Sequence, residues 1–482
     1  MSTTTPNLLP AFQVVTEPSL LFHPDRNTDI DIHPLRGLSQ FGPYSRSHNF
    51  KLRDPICIGV LCPSGTLPRV VQLFNDLHSP QQPKERKQYL QYFDGFSKVF
   101  GIGLDCPHRP QDERVCELPT AQLEATLKDP EPQQKIAEIF LSGVRQLVTK
   151  KHLFDVLVVY LPDRLSSAFR SPLDDSEADF DLHDTLKATC AAQGIPVQVL
   201  NDDALTYFCR CSVAWRLSLA IYTKAGGIPW KLAGFDTRHA YVGLSYSLRK
   251  GSHAQFVTCC SQIFDAEGTN LRFLLYESQG GLYEGENPYL SRQDMRRVMA
   301  RTIDLYQRQK GTPPIRLVIH KTTQFRPEEI DGCIDALGSI DDLELLTIST
   351  SMSWHAIRIN APKTTGPKGE PAMYPVERGT FLPLGSFEYA LWTQGNASGI
   401  GTSNYFKEGK GIPHPILVTR YLGTGGAHAS ARELLGLTKM NWNNDSLYDR
   451  LPVTLSYASI LARMVKRLGT LSNNPYDFRF FM

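Results

Sequence analysis

Four side chains between positions 183 and 224 are of the types that grip phosphate: His183, Lys187, Gln198 and Lys224. His183 and Lys187 stand four residues apart in DLHDTLKATCAAQG (181–194), so on a helix they share one face. Gln198 lies in the apolar run IPVQVLND (195–202), and Lys224 closes CRCSVAWRLSLAIYTK (209–224) just before a Gly-Gly turn. Each alone is the kind of residue found on a solvated helix face or at a helix C-terminus. Together they bring ammonium, imidazole and amide groups from three elements toward one terminal phosphate. An apolar segment follows, LAGFDTRHAYVGLSY (232–246), whose acid, Asp236, is where a metal-dependent nuclease site would begin.

The elements that must position these residues alternate. Residues 56–62, 98–104, 155–162 and 195–202 read as strands, and 67–79, 132–153 and 181–194 as helices, the last closed by Gly194. Strands separated by helices imply a parallel sheet with crossovers. After the break at Gly226-Gly227-Ile228-Pro229 come three successive strands, 239–249, 253–265 and 271–278, and a loop over 280–288. A helix over 292–308, a strand over 315–321, a helix over 326–338 and a strand over 343–350 complete the order of a ribonuclease-H-like domain. Residues 361–411 are rich in Gly, Pro and Lys and read as hairpins, and 454–468 as an amphipathic helix. Residues 1–50, rich in Pro, His, Asp and turn formers, read as an extended arm packed on something else.

The bulk numbers narrow the class. A chain of 482 residues with 41% hydrophobic content holds two or three full cores. Lys and Arg number 51 against 49 Asp and Glu, a net charge of +2, so nucleic-acid binding would need the basic groups gathered in a channel. The ten cysteines show no zinc spacing and read as reduced thiols. The N-terminus lacks the basic-then-apolar pattern of a signal peptide, and no run is long enough to span a bilayer. The expectation is a cytoplasmic protein with no membrane partner.

HDTLK (183–187), Gln198 and the lysine before GGIPW (226–230) resemble the MID domain of Argonaute proteins, which grips the 5′-phosphate of a guide strand. LAGFDTRHAYVGLSY is similar to the first strand of their PIWI domain. The resemblance spans nearly the whole chain and is most specific over 181–246. It implies an α/β fold: a Rossmann-like MID domain over 51–228 and a ribonuclease-H-like PIWI domain over 229–482, after the arm of 1–50. With no room for N and PAZ domains ahead of the MID sheet, the layout is that of short prokaryotic Argonautes. The resemblance implies that His183, Lys187, Gln198 and Lys224 hold the guide 5′-phosphate. It also implies that the terminal carboxylate of Met482 helps hold Mg2+ beside the guide phosphates.

For slicing, the resemblance requires four metal ligands. Asp236 matches the first. Lys321, preceded by His320, stands where the second acid belongs, and Ser459 where the last ligand belongs. Glu277, Glu284 or Glu286 could be the intervening glutamate, and residues 313–325 and 452–465 contain no acid at all. The expectation is an inactive PIWI domain, with Asp236 vestigial or structural and Lys321 paired with Asp236 or contacting a backbone phosphate. Arg249, Lys250 and the 363–368 loop are candidate channel contacts. A guide-binding chain of this kind implies a partner: an APAZ-domain effector carrying a TIR or sirtuin-like NAD-degrading domain, or a nuclease. The pair would load guide RNA, recognise target single-stranded DNA and oligomerise on activation. The competing readings are a self-sufficient guide-directed nuclease and a roadblock without an effector.

Overall fold

The computed structural model of the chain describes residues 11–46, 52–170, 180–250, 255–265, 272–278, 282–284, 287–360, 369–400, 404–406, 411–465 and 476–482. Two sheets organise it. The first is parallel, in the order Leu104–Asp105, Ile56–Pro63, Val156–Tyr160, Val197–Leu200, with Val115–Leu118 also paired to Ile56–Pro63. Its central strands read ICIGVLCP and VLVVY because helices cover both faces and every position but Cys57 is buried. The crossovers are the helices Leu67–His78, Pro132–Val148 and Leu182–Ala192.

The second sheet has ten strands among the described residues. Its centre is His239–Lys250, antiparallel to Gln255–Asp265 and parallel to Arg316–Lys321, which is parallel in turn to Asp342–Ser349. The helix Val453–Val465 lies on the central strand. Gly243 permits that approach, since a Cβ there would come within 2.1 Å of the Thr454 carbonyl oxygen. This is the α/β architecture expected, a Rossmann-like unit followed by a ribonuclease-H-like one.

Several expectations need correction. The segment 98–104 is not a strand: Phe96–Phe100 is a short helix that buries its aromatic face, and only Leu104–Asp105 is extended. The loop over 280–288 contains a short antiparallel pair, Leu282–Glu284 with Asn287–Tyr289. The strand Ile416–Leu422 and the helix Ala427–Leu437 were not anticipated. The arm is more structured than its composition suggests. Gln13–Val14 adds an edge strand to the large sheet, and the helix Pro34–Phe41 carries His33 at its N-cap and proline at its first turn. Partly buried Glu17 pins the arm to the second unit through Arg378 at 2.9 Å and Lys439 at 3.0 Å. No described helix is long and apolar enough to cross a membrane.

Candidate guide-phosphate site

The helix Leu182–Ala192 starts at Asp181, whose side chain accepts the Asp184 amide, and so sets His183 and Lys187 on its opening turns. The helix Arg210–Lys224 ends on Lys224, where the helix dipole favours a cation. Its exit needs the two glycines. Gly226 has φ +112°, and a Cβ on Gly227 would sit 2.2 Å from the Tyr222 ring. With the strand Val197–Leu200, these helices bound a cavity of about 560 Å³ lined by His183, Lys187, Gln198 and Lys224. The structure thus brings all four sequence-derived residues to one place.

The charge in this cavity is unusual. Lys187 is 8% exposed and Lys224 2%. Among the described lining residues Asp203 is the only acid, against His183, Lys187, Arg216 and Lys224. Lys187 makes no hydrogen bond with described residues. Lys224 donates to the Gln198 side-chain oxygen at 2.5 Å, and the Gln198 amide NH2 donates to the Val199 carbonyl at 3.0 Å. Gln198 therefore holds Lys224 in place and keeps at most one N–H for a ligand, a narrower part than direct phosphate binding. His183 is half-exposed at the rim. Arg216, Tyr207 and Asn443 also line the cavity and had no signal in the sequence; Asn443 arrives from the second unit.

Burial pushes the Lys187 ammonium down from 10.5 to about 8, with Asp184 opposing the shift and Arg463 adding to it. Lys224 is pushed well below its usual range, first by burial and then by the charge on Lys187. Two desolvated cations side by side are costly unless an anion compensates them. A pH test follows. Between about 8 and 10.5 the folded chain binds fewer protons at Lys187 than the unfolded chain, so the free protein gains stability as pH rises through that window. Anion binding moves the opposite way, since only the ammonium form attracts phosphate. Thermal melts and phosphate-ligand affinity measured near pH 7 and near pH 9 check both signs. An affinity that stays constant would remove Lys187 from the contact.

Met482 is buried, and the turn Phe478–Phe480 before it packs on the helices that carry Lys187 and Lys224. It is not among the lining residues of the cavity.

The nuclease expectation changes more. Asp236 is not on the central strand. It lies in the turn before His239, where it accepts the Arg238 amide at 2.9 Å and binds the Arg238 guanidinium at 2.8 and 3.1 Å. These bonds hold its carboxyl well below the usual carboxylate range. Strand register pairs His239 with Arg316 and Leu244 with Lys321. Lys321 therefore faces Leu244, about 17 Å along the strand from His239. Asp236 precedes the central strand whereas Lys321 lies beside its middle, and the anticipated pairing is not made.

Lys321 instead donates to Glu329 at 2.5 Å in a buried pair. Its ammonium lies 4.9 Å from the Tyr246 ring, 4.6 Å from Tyr289 and 5.4 Å from Phe325. Glu329 also accepts from the Tyr246 hydroxyl at 2.9 Å and from the Leu290 and Arg326 amides. Glu329 closes the first turn of its helix by accepting the Arg326 amide at 3.1 Å, and with an arginine at the N-cap position the sequence carried no capping signature for it. His320 is buried against Thr454 at 2.9 Å, and burial lowers its imidazole to about 3. Ser459 is exposed on the helix Val453–Val465. Glu286, Lys363 and Lys368 fall outside the described residues, as do the side chains of Arg249, Lys250, Glu277 and Glu284.

No protein-family model and no curated protein sequence matches the chain. Solved structures do. Clostridium butyricum Argonaute bound to a guide DNA and a 19-mer target DNA aligns with a TM-score of 0.66 at 15% identity, over 100% of this chain and 56% of that one. An Aquifex aeolicus Argonaute structure aligns at 0.60 and 16% identity, over 99% of this chain and 57% of that one. A structure of Aa-Ago with externally bound siRNA aligns at 0.60 and 18%, over 99% and 56%. The chain therefore spans a little over half the length of these neighbours. At such identities the likeness is one of fold: the chain has an Argonaute-like fold, with its parallel and ribonuclease-H-like sheets in the MID and PIWI order.

Proposed function

We propose that this chain is a guide-dependent nucleic-acid sensor of prokaryotic defence, a short Argonaute that binds a 5′-phosphorylated guide RNA and reads complementary single-stranded DNA. The observation that carries the reading is the pair of buried ammonium groups, Lys187 and Lys224, facing one cavity with no carboxylate bonded to either. A terminal phosphate supplies the missing charge. Lys187 and Lys224 bind it, Gln198 orients Lys224, and His183 closes the rim. Base pairing provides sequence specificity, and the protein holds the duplex by its backbone. The terminal carboxylate at Met482, a hard oxygen donor that follows a turn packed on the same two helices, is the group that would take magnesium. Its carboxylate would hold the ion, which supplies positive charge between the terminus and the guide phosphates.

The chain does not slice by this reading. The position at the end of Arg316–Lys321 holds an ion pair within an aromatic cage, not a metal-binding acid. Output then belongs to another polypeptide, an APAZ-containing effector with a TIR, sirtuin-like or nuclease domain, in a cytoplasmic heterodimer that oligomerises on activation. The test is to purify the chain alone and with the product of the adjacent gene, then add guide and target. NAD loss or DNA degradation only in the pair is the expected result. Robust target cleavage by the chain alone would sink the proposal.

A further inference from the structure

A second cavity, of about 480 Å³, lies where the two units meet. Arg86 comes to it from the first unit, and residues 405–406, 411–414 and 446–450 from the second. It is separate from the phosphate cavity: Asn443 lines that one, and the residues that follow, 446–450, line this one.

Its polar groups are unmet. Nε of Arg450 and Nδ1 of His414 are buried and have no hydrogen-bond partner among the described residues. A buried polar atom left unpaired is costly, and a ligand is one way to satisfy it. The Arg450 guanidinium donates to the Thr350 carbonyl at 3.1 Å and meets no carboxylate among the described residues. Asp449 is the only acid among the described lining residues. Its carboxylate already accepts from the Asn441 amide at 2.6 Å and the Asn444 amide at 3.4 Å. Burial raises that carboxyl above its ordinary value, so it offsets little of the positive charge.

Its walls are flat and aromatic. The rings of His33, Tyr89 and Tyr405 stack in series, with centroids 4.3 and 4.9 Å apart, and Tyr405 brings that stack to the cavity. Phe406 and Tyr448 line it as well. Arg86 is the only non-glycine residue with positive φ among the described residues, at +45°. Asp445 at 2.7 Å and the Ser212 hydroxyl at 2.9 Å hold its guanidinium, so the strained residue is a fixed part of the wall.

We propose that this cavity binds a single nucleotide unit, its base packed against Tyr405 and Phe406 and its phosphate held by Arg450 and His414. An uncompensated cation calls for an anion, and aromatic walls call for a planar ring. The Gln394 and Ser446 side chains supply donors and acceptors for a base edge. The volume lies within the roughly 300–1,000 Å³ of small-ligand pockets. A sugar phosphate meets only the charge, and an uncharged heteroaromatic only the rings. The site stands independently of the guide-binding reading.

The probe is azidoadenosine monophosphate, bound to the full chain, irradiated and mapped on tryptic peptides. Label is expected on the peptide 411–420, none of whose residues lines the phosphate cavity. Excess adenosine monophosphate should chase it, and excess ribose phosphate should not. An oligonucleotide without a terminal phosphate separates the two sources of the unit. If it chases the label as well as the mononucleotide does, the unit belongs to a strand; if it does not, the ligand is free nucleotide. Arg450→Ala and His414→Ala should each weaken binding of the probe by at least about tenfold, and Arg450→Lys should recover part of the loss by restoring the charge. Lys224→Ala, which disables the phosphate cavity, should leave the label on 411–420 in place. Where a variant melts early, the two chases on the parent chain decide. An unlabelled 411–420 peptide, an equal chase by ribose phosphate, or a label lost in Lys224→Ala overturns the site.

Discussion

Lys224→Ala should weaken binding of a 5′-phosphorylated guide by about 10- to 100-fold and leave a 5′-hydroxyl guide nearly unaffected. A hydrogen bond to a charged group contributes about 1.5–3 kcal/mol, and each 1.4 kcal/mol is tenfold in affinity. The upper part of that range applies, because Lys224 is almost wholly buried and its field is poorly screened. Lys187→Ala should act in the same direction. The double variant should lose less than the sum, because the charge on Lys187 lowers the readiness of Lys224 to carry its own. Gln198→Leu distinguishes positioning from contact. It removes the acceptor that Lys224 donates to at 2.5 Å, so the 5′-phosphate preference should drop with both lysines still present. Competition binding with matched 5′-phosphate and 5′-hydroxyl strands measures all four. Equal losses for the two strands would mean that the cavity does not read the terminus.

The cavity around Lys187 and Lys224 was legible in the sequence because its parts are locally encoded. His183 and Lys187 share a helix face by spacing, an aspartate N-cap opens that helix, and two glycines end the helix carrying Lys224. Only the convergence of the three elements required the fold. Asp236 shows the opposite case. It sits close to an apolar strand in sequence, but whether an acid lies on a strand or in the turn before it depends on pairing with strands some 75 residues on. The register, in which His239 meets Arg316, left Asp236 outside the sheet and bonded to Arg238. The partner of Lys321 was hidden for a similar reason. Glu329 lies on the next helix, and nothing in VIHKTTQF shows that Tyr246, Tyr289 and Phe325 surround the ammonium. Likewise Arg463, from the far end of the chain, reaches Asp184 across the two units.

The Lys321–Glu329 pair yields the largest expected effect on stability. Removing one partner of a buried ion pair costs about 3–5 kcal/mol, because the other charge is left in low dielectric. Here Lys321→Ala abandons a glutamate that still accepts from the Tyr246 hydroxyl and two amides, so the cost should fall near the lower figure. Glu329→Gln abandons an ammonium that keeps three aromatic rings but loses its anion. Both single variants should melt on the order of 10 °C lower, given roughly 2–4 °C per kcal/mol for a unit of this size. The double variant Lys321→Met with Glu329→Gln should recover most of the loss, since a neutral pair of similar volume needs no desolvated charge. Lys321→Asp is the informative reversal. It sets a carboxylate beside Glu329, so the protein should be strongly destabilised unless one carboxyl is protonated or a metal ion is bound. With Leu244 opposite and Asp236 bonded to Arg238 before the strand begins, the new acid meets no ready-made ligand set among the described residues. Adding Mg2+ or Mn2+ should therefore neither restore its melting temperature nor produce guide-directed cleavage. A metal-dependent rise in melting temperature together with cleavage would show that the ion pair only masks an otherwise intact nuclease centre.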